Sequence, residues 1–271
     1  MDNLKAKKRH PEEIAVYSAI YVCAAFSVLL LLGIIVYVFA KGARRVNWAF
    51  LTGVTSILHG TVGIAGNILN TLIIILLTMI ITTPIGVGAA IYLNEYAKPG
   101  KLVTVIIFAT ETLAGIPSII FGLFGMLFFG QLCHMGYSLL TGSLTLTLMV
   151  LPLVTRNTQE ALKTVPDSFR TGAVGLGAGK WYTIRTILLP SAMPGIVTGV
   201  ILAIGRIIGE SAALLFTAGS AHLLPKTFDA FLEKIFHSGG TLTIQLYLSA
   251  SKGEFEVAFG IAAVSYTHLT L

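Results

Sequence analysis

The sequence predicts an all-α membrane protein of several spans, and three observations predict it. Of its 271 residues, 55% are hydrophobic and only 11% are charged, whereas a soluble domain carries about a quarter charged residues to solvate its surface. The mean hydropathy is +0.85. Charge is also missing from long stretches: none lies between Glu13 and Lys41, and none from Val46 to Asn94. At about 20 residues per crossing helix plus loops, a chain of this length accommodates roughly five to seven spans.

The expected elements follow in order. Residues 1–13 hold the basic KAKKRHPEE stretch, expected as a cytoplasmic tail held near anionic lipid. Span one covers 14–40, and its uninterrupted apolar run is too long for a cleaved signal peptide. Span two covers 67–93 with Pro84 inside it, span three 102–129 with Pro117 inside it, and span four 138–155. The prolines are expected to bend their helices. Span five covers 191–218. A sixth apolar run at 257–264 gives way to SYTHLTL at 265–271. It is shorter than a crossing requires. The last span therefore reads as truncated or joined in the wrong frame, and such a chain is expected to assemble poorly.

The net charge of +6 does not point to nucleic acid, because the basic residues sit between apolar runs, where they set topology. Placing the N-terminus inside puts the N-terminal cluster, Lys98, Lys101 and the basic residues of 156–185 in the cytoplasm. Lys41, Arg44, Arg45, Lys226, Lys234 and Lys252 are left outside. Cys23 and Cys133 have no motif spacing and read as small packing residues. The histidines form no i, i+4 ligand pair, so no metal site is expected.

The segment 156–190 reads as a helix (TRNTQEALKTV), a stop at Pro166, a second helix from Asp167, a glycine break at 177–179, and a third helix from Trp181 that ends at Leu189-Pro190. Short helices joined by glycine suit a docking site for a soluble partner. The cluster GAVGLGAGK is no phosphate loop. A Walker A motif needs glycine at the position of Val174 and Ser or Thr at the position of Trp181. No nucleotide site is expected in this chain.

The stretch GLGAGKWYTIRTILLPSAMPGIVTG resembles the coupling loop of ABC-importer permeases, whose pattern is Glu-Ala-Ala, then Gly, then about nine residues and a hydrophobic-x-Leu-Pro close. Gly177 holds the glycine position, and Ile187, Leu189 and Pro190 hold the closing ones. Thr171, Gly172 and Ala173 stand where the family has Glu-Ala-Ala, so the family's glutamate is replaced. ETLAGIPSIIFGLFG (111–125) and GRIIGESAALLFTAG (205–219) are similar to segments of the phosphate-specific permease of the PstA type, a binding-protein-dependent transport inner-membrane component. The resemblance runs from about residue 65 to 264. It implies a six-span bundle of the type I, MetI-like permease class with a cytoplasmic coupling loop. It also implies a sister permease, an ATPase dimer that carries ATP and Mg, and an extracytoplasmic phosphate-binding protein. No cofactor is expected in this chain.

The charges inside the spans are the candidate site. Arg206 lies about 15 residues into span five, roughly 22 Å along a helix, and Glu210 follows at i+4, where two helical side chains can meet. Gly199, Ala203, Arg206, Glu210 and Ala213 fall along one small-residue face, which suits packing against protein. In span three, Glu111, Gly115, Ser118, Gly122 and Gly125 fall on another. A lone Arg in a bilayer costs at least about 2.5 kcal/mol, and such charges are functional by default. The planar guanidinium fork suits a tetrahedral oxyanion. Arg206 is therefore expected to meet substrate, with Glu210 and Glu111 holding it. The bland reading is a buried Arg206–Glu210 pair that only fixes helix packing. A permease for sulfate or molybdate is the nearest alternative. A proton-coupled carrier using Glu111 and Glu210 is the next, and it has no use for the glycine-broken loop.

Overall fold

The structure is a computed structural model that describes residues 11–56, 61–225 and 227–270. The basic stretch at 1–10 and Lys226 lie outside the described residues. Helix α1 (Pro11–Gly42) is exposed almost throughout. It meets the rest of the chain at its far end, where Tyr37 stacks edge-on to Phe259 at 5.5 Å and Phe39 edge-on to Tyr266 at 5.8 Å. A short helix α2 (Trp48–Thr52) follows, capped by Asn47 Oδ1, which accepts from Phe50 N at 2.8 Å. Strands β1 (Val54–Ser56) and β2 (Thr61–Ile64) then pair antiparallel, with Val54 opposite Ile64.

Helix α3 (Ala65–Ile91) ends in a π-helical turn, Tyr92–Tyr96, and keeps Pro84 inside an unbroken helix. Helices α4 (Lys101–Gly115) and α5 (Ser118–Gly125, continued by a π-helical turn Met126–Leu132) form the expected third span. They meet at 102°. Pro117 cannot continue α4, and the residue before it, Ile116, is pushed into extended backbone at ψ 131°. The single small-residue stripe expected from Glu111 to Gly125 is therefore broken. Glu111 and Gly115 stay on α4, while Gly122 and Gly125 sit on α5 against Ala213 and Thr145.

Helix α6 (Leu139–Lys163) is the centre of the bundle. It continues through the stretch expected as a separate helix after 155. Helix α7 (Asp167–Gly175) and α8 (Lys180–Thr183) follow, then a π-helical turn Ile184–Leu188 that runs directly into α9 (Leu189–Ile208). The third loop helix thus does not stop at Leu189-Pro190. The wider π turn just before Pro190 absorbs a proline that lacks an N–H and would crowd the carbonyl one turn back. Helices α10 (Ala212–Thr217), α11 (Phe228–Lys234), α12 (Leu242–Ser251) and α13 (Phe255–Thr270) complete the chain. Among the described residues four helices are long and apolar enough to cross a membrane, or five if α4 and α5 count as one bent span. The sixth apolar run belongs to α13, which continues past Val264 through Ser265, Tyr266 and Thr267.

Why α6 is central follows from its sequence. Its buried face is built of Thr141, Ser143, Thr145 and Thr147 as well as Leu146, Met149 and Val150. The hydroxyls of Ser143, Thr145 and Thr147 donate to carbonyls four residues back at 2.8–2.9 Å. The face is polar in composition yet has no donor left over, and it is small enough for close neighbours. Helix α9 packs on it with Gly195 against Ala161 and Gly199 against Asn157, and beyond α9 Leu214 lies on Gly142.

Residues 217–225 and 227–241 fold over one end of α3 and α6. Leu139 N donates to His237 O at 3.1 Å, Leu140 N to Ile235 O at 2.9 Å, and Thr141 N to Ser138 Oγ at 3.1 Å. These are the helix-start donors that no helix can satisfy from within. Asn70 Nδ2 donates to Ala221 O and Gly240 O, both at 3.0 Å, and Asn67 Nδ2 donates to Gly240 O at 2.9 Å. Gly66 lies under the His222 carbonyl, where a Cβ would overlap backbone, whereas Gly88 on the same helix has nothing within 4 Å. Gly66→Ala should therefore lower the melting temperature of the purified protein by roughly 5 °C or more. Gly88→Ala should leave it within about 2 °C. A thermal-shift assay in detergent reads both.

Candidate functional site

The loop residues expected to couple to a partner form an elbow of α7 and α8. Helix α7 stops in a Schellman closure: Ala178 N donates to Ala173 O and Gly177 N to Val174 O, both at 2.9 Å. Gly177 takes φ +80°, a conformation that only glycine adopts without cost. Gly177, the first glycine of the expected break at 177–179, is thus the C-terminal stop of α7. The elbow shows an apolar tip: Val174 is 66% exposed, Leu176 92% and Trp181 59%. Thr171 and Gly172 are exposed on the same helix, while Ala173 is buried. Ile187 and Leu189 are half-buried and Pro190 is exposed. Here they form the root of α9, next to the buried cluster of Leu162, Val165, Ile184 and Leu188.

The elbow is held by a residue that the sequence reading passed over. The Arg170 guanidinium on α7 pairs with Glu95 in the π turn after α3, Nη2 to Oε1 at 2.9 Å. Its Nη1 donates to Asp167 Oδ1 at 3.0 Å and to Val165 O at 2.9 Å, and its Nη2 also donates to Leu162 O at 2.9 Å. The hydrogen-bonded Glu95 carboxylate raises the Arg170 pKa further above its usual range. Asn94 Nδ2 donates to the same Glu95 oxygen at 2.8 Å. From the other arm of the elbow, Lys180 Nζ lies 4.7 Å from the centre of the Tyr96 ring.

The intramembrane charges are placed differently from the expectation. Helix α9 ends at Ile208, Gly209 closes it, and α10 starts at Ala212. Span five is therefore broken where the sequence reading ran it straight to 218. With the helix interrupted, the i, i+4 meeting of Arg206 and Glu210 is lost. No ion pair joins them among the described residues. Each charge answers a helix end instead. Arg206 lies in the last turn of α9, at the negative pole of its dipole. Glu210 Oε1 accepts from Ala213 N at 3.0 Å in the first turn of α10, and Thr243 Oγ1 donates to Glu210 O at 2.8 Å. The register of Gly195 on Ala161, Gly199 on Asn157 and Leu214 on Gly142 places Arg206 level with Val150, the middle of α6. Its side chain is exposed on the surface of this chain.

Glu111 lies elsewhere. It lines an open cleft between α4 and α6 with Arg156, Gln159, Glu160 and Lys163, and neither Arg206 nor Glu210 reaches that cleft. Arg156 is paired within α6 to Glu160 at 3.3 Å. Cys23 and Cys133, expected as small packing residues, are free and exposed on the surface of this chain.

Comparison with known proteins fits this architecture. Residues 82–251, which include the elbow and both broken helices, match the family described as "Binding-protein-dependent transport system inner membrane component". The chain is 37% identical over 246 residues to the probable ABC transporter permease protein YqgI of Bacillus subtilis, covering 89% of this chain and 84% of that one. It is 36% identical over 256 residues to the phosphate transport system permease protein PstA homolog of Mycoplasma pneumoniae, covering 91% of this chain and 38% of that one. Over 157 residues it is 41% identical to the phosphate transport system permease protein PstA of Yersinia pestis, covering 58% and 52%. The chain thus spans most of the Bacillus relative but about half or less of these two. An inward-facing structure of the MetNI methionine ABC transporter shares the fold, with a TM-score of 0.53 at 18% identity over 77% of this chain and 87% of the matched chain. A multi-pass membrane protein whose elbow and two broken helices all fall within the matched region, this chain belongs to the family of binding-protein-dependent transport system inner membrane components.

Proposed function

We propose that this chain is the permease subunit of an ATP-driven importer of inorganic phosphate. It works with a sister permease and with a separate ATPase dimer that supplies ATP and Mg. An extracytoplasmic phosphate-binding protein delivers the substrate, and the chain sits in a bacterial inner membrane with its N-terminus in the cytoplasm. The observation that supports the reading is the break after α9, level with the middle of α6, with Arg206 exposed beside it. Irregular backbone and unpaired charge at that depth are tolerated only where they meet protein or line a polar path. A guanidinium there offers forked donors to an oxyanion. The PstA relatives supply the choice of phosphate among oxyanions.

With the N-terminus inside, the α7–α8 elbow faces the cytoplasm. Its apolar tip at Val174, Leu176 and Trp181 is left exposed by the described residues, which suits seating on the ATPase. Because Thr171 stands in place of the family's glutamate, seating here rests on apolar contact. The loops at 219–241 lie on the opposite face and suit contact with the binding protein. The Glu210 carboxylate accepts from Ala213 N in the first turn of α10, shaping the break beside Arg206. Glu111 lies among the charges of the α4–α6 cleft, nearer the cytoplasmic face than Arg206.

The deciding experiment is uptake of labelled phosphate, with sulfate in parallel, into vesicles holding this chain, its sister permease and the ATPase, with the binding protein outside. ATP-dependent uptake of phosphate without sulfate is expected. Uptake of sulfate alone would overturn the substrate. In the same vesicles Arg206→Ala should cut phosphate uptake by about tenfold or more while ATP hydrolysis persists, since the loss of a charge-assisted contact is worth roughly 1.5–3 kcal/mol. Unchanged uptake would remove Arg206 from the path. Leu176→Asp should leave the melting temperature of the isolated chain unchanged, because that side chain is 92% exposed among the described residues, but should release the ATPase in a pull-down.

A further inference from the structure

The elbow and the end of α3 are joined at two adjacent points, one from each arm of the elbow. From α7, Arg170 grips Glu95, with Nη2 to Oε1 at 2.9 Å and Nε to the same oxygen at 3.3 Å. From α8, Lys180 sits over Tyr96. Both targets lie in one π-helical turn, Tyr92–Tyr96, at the end of α3. The same guanidinium ties down the Leu162 and Val165 carbonyls at the end of α6. The Glu95 side chain is 8% exposed and that of Arg170 23%, so the pair is shielded from water, unlike the Arg156–Glu160 pair at 65% and 61%. A shielded, forked, multiply hydrogen-bonded pair holds its geometry where an exposed pair does not. Helix α3 in turn packs along α6 and carries Asn67 and Asn70 at its far end, 25 residues or more from Glu95 and bound to the loop at 221–241.

We propose that the Arg170–Glu95 pair, supported by Lys180 on Tyr96, is the link that passes a displacement of the elbow to α3. It is a positioning device and touches no substrate. A rigid-body shift of the elbow moves both grips together. The π turn that carries both targets continues α3 without a break and joins the grips to it. This inference rests on the reading that the elbow seats on the ATPase.

The test uses the assembled complex in vesicles with the binding protein outside, and measures ATP hydrolysis and phosphate uptake in the same preparation. Glu95→Gln removes the charge and keeps the size of the side chain, and Lys180→Met removes the second grip. Together they should lower the phosphate moved per ATP hydrolysed by about tenfold, the size of an ordinary coupling between sites, while the ATPase stays bound and active. Exchanging the charges with Glu95→Arg and Arg170→Glu should recover part of the ratio that either change alone loses. A wild-type ratio in the double variant overturns the link. Failure of both single variants to assemble overturns it as well, in favour of a purely structural clasp. Leu176→Asp separates the two ideas. If it leaves the ATPase bound, the docking reading fails and the link fails with it. If it releases the ATPase while the Glu95 and Lys180 variants keep their ratio, only the link fails.

Discussion

The bundle depends on how α6 is made acceptable at the centre of an apolar protein. A helix start leaves donors that must be met, and in a bilayer water is not there to meet them. At α6 they are met by the chain itself: the 217–241 segment brings the carbonyls of Ile235 and His237 to Leu140 and Leu139. Along the shaft, Ser143, Thr145 and Thr147 turn their hydroxyls back onto their own helix. What remains outward is a narrow surface of methyl groups and small side chains, and α3, α5, α9 and α10 approach it closely. The irregular loops after α10 are thus part of what allows α6 to be buried.

Two helices break, and their short continuations meet. The bend at Pro117 launches α5, and the stop at Gly209 launches α10. Gly122 of α5 lies against the backbone of Ala213 on α10, and Gly125 lies against Thr145 of α6. Both breaks therefore feed one packed corner on the same half of α6. The charges near the second break follow the backbone: a cation where α9 shows its carbonyls, a carboxylate where α10 shows its amides. Arg206 keeps its guanidinium on the outside of this corner.

Much of this was legible in the sequence, and the failures have physical causes. A membrane protein of four or five long apolar helices was readable because apolar length is a one-dimensional property, and the Gly177 turn because a left-handed stop demands glycine. The Arg206–Glu210 pairing failed because i, i+4 reasoning assumes an unbroken helix. Gly209 followed by Glu210 and Ser211 carried a stop and a start, but they lie inside an apolar run long enough to read as one straight span. The shared stripe on span three failed at Pro117 for the same reason. The Arg170–Glu95 pair was out of reach, because 75 residues separate the partners and no local pattern connects them. Even so, a lone carboxylate at the end of an uncharged stretch running from Val46 to Asn94 was a visible anomaly.

The closure of the elbow at Gly177 has a consequence for how quickly it can act. A loop that takes shape only on contact must give up its conformational freedom at every encounter, and that loss slows association and weakens it. Here Ala173, Val174, Gly177 and Ala178 complete the turn with their own hydrogen bonds, and Arg170 fixes its base. The surface that Leu176 presents is preorganised before anything arrives. For a partner that seats on this tip as proposed, association is an encounter with a rigid body, its rate set by collision and not by refolding of the tip.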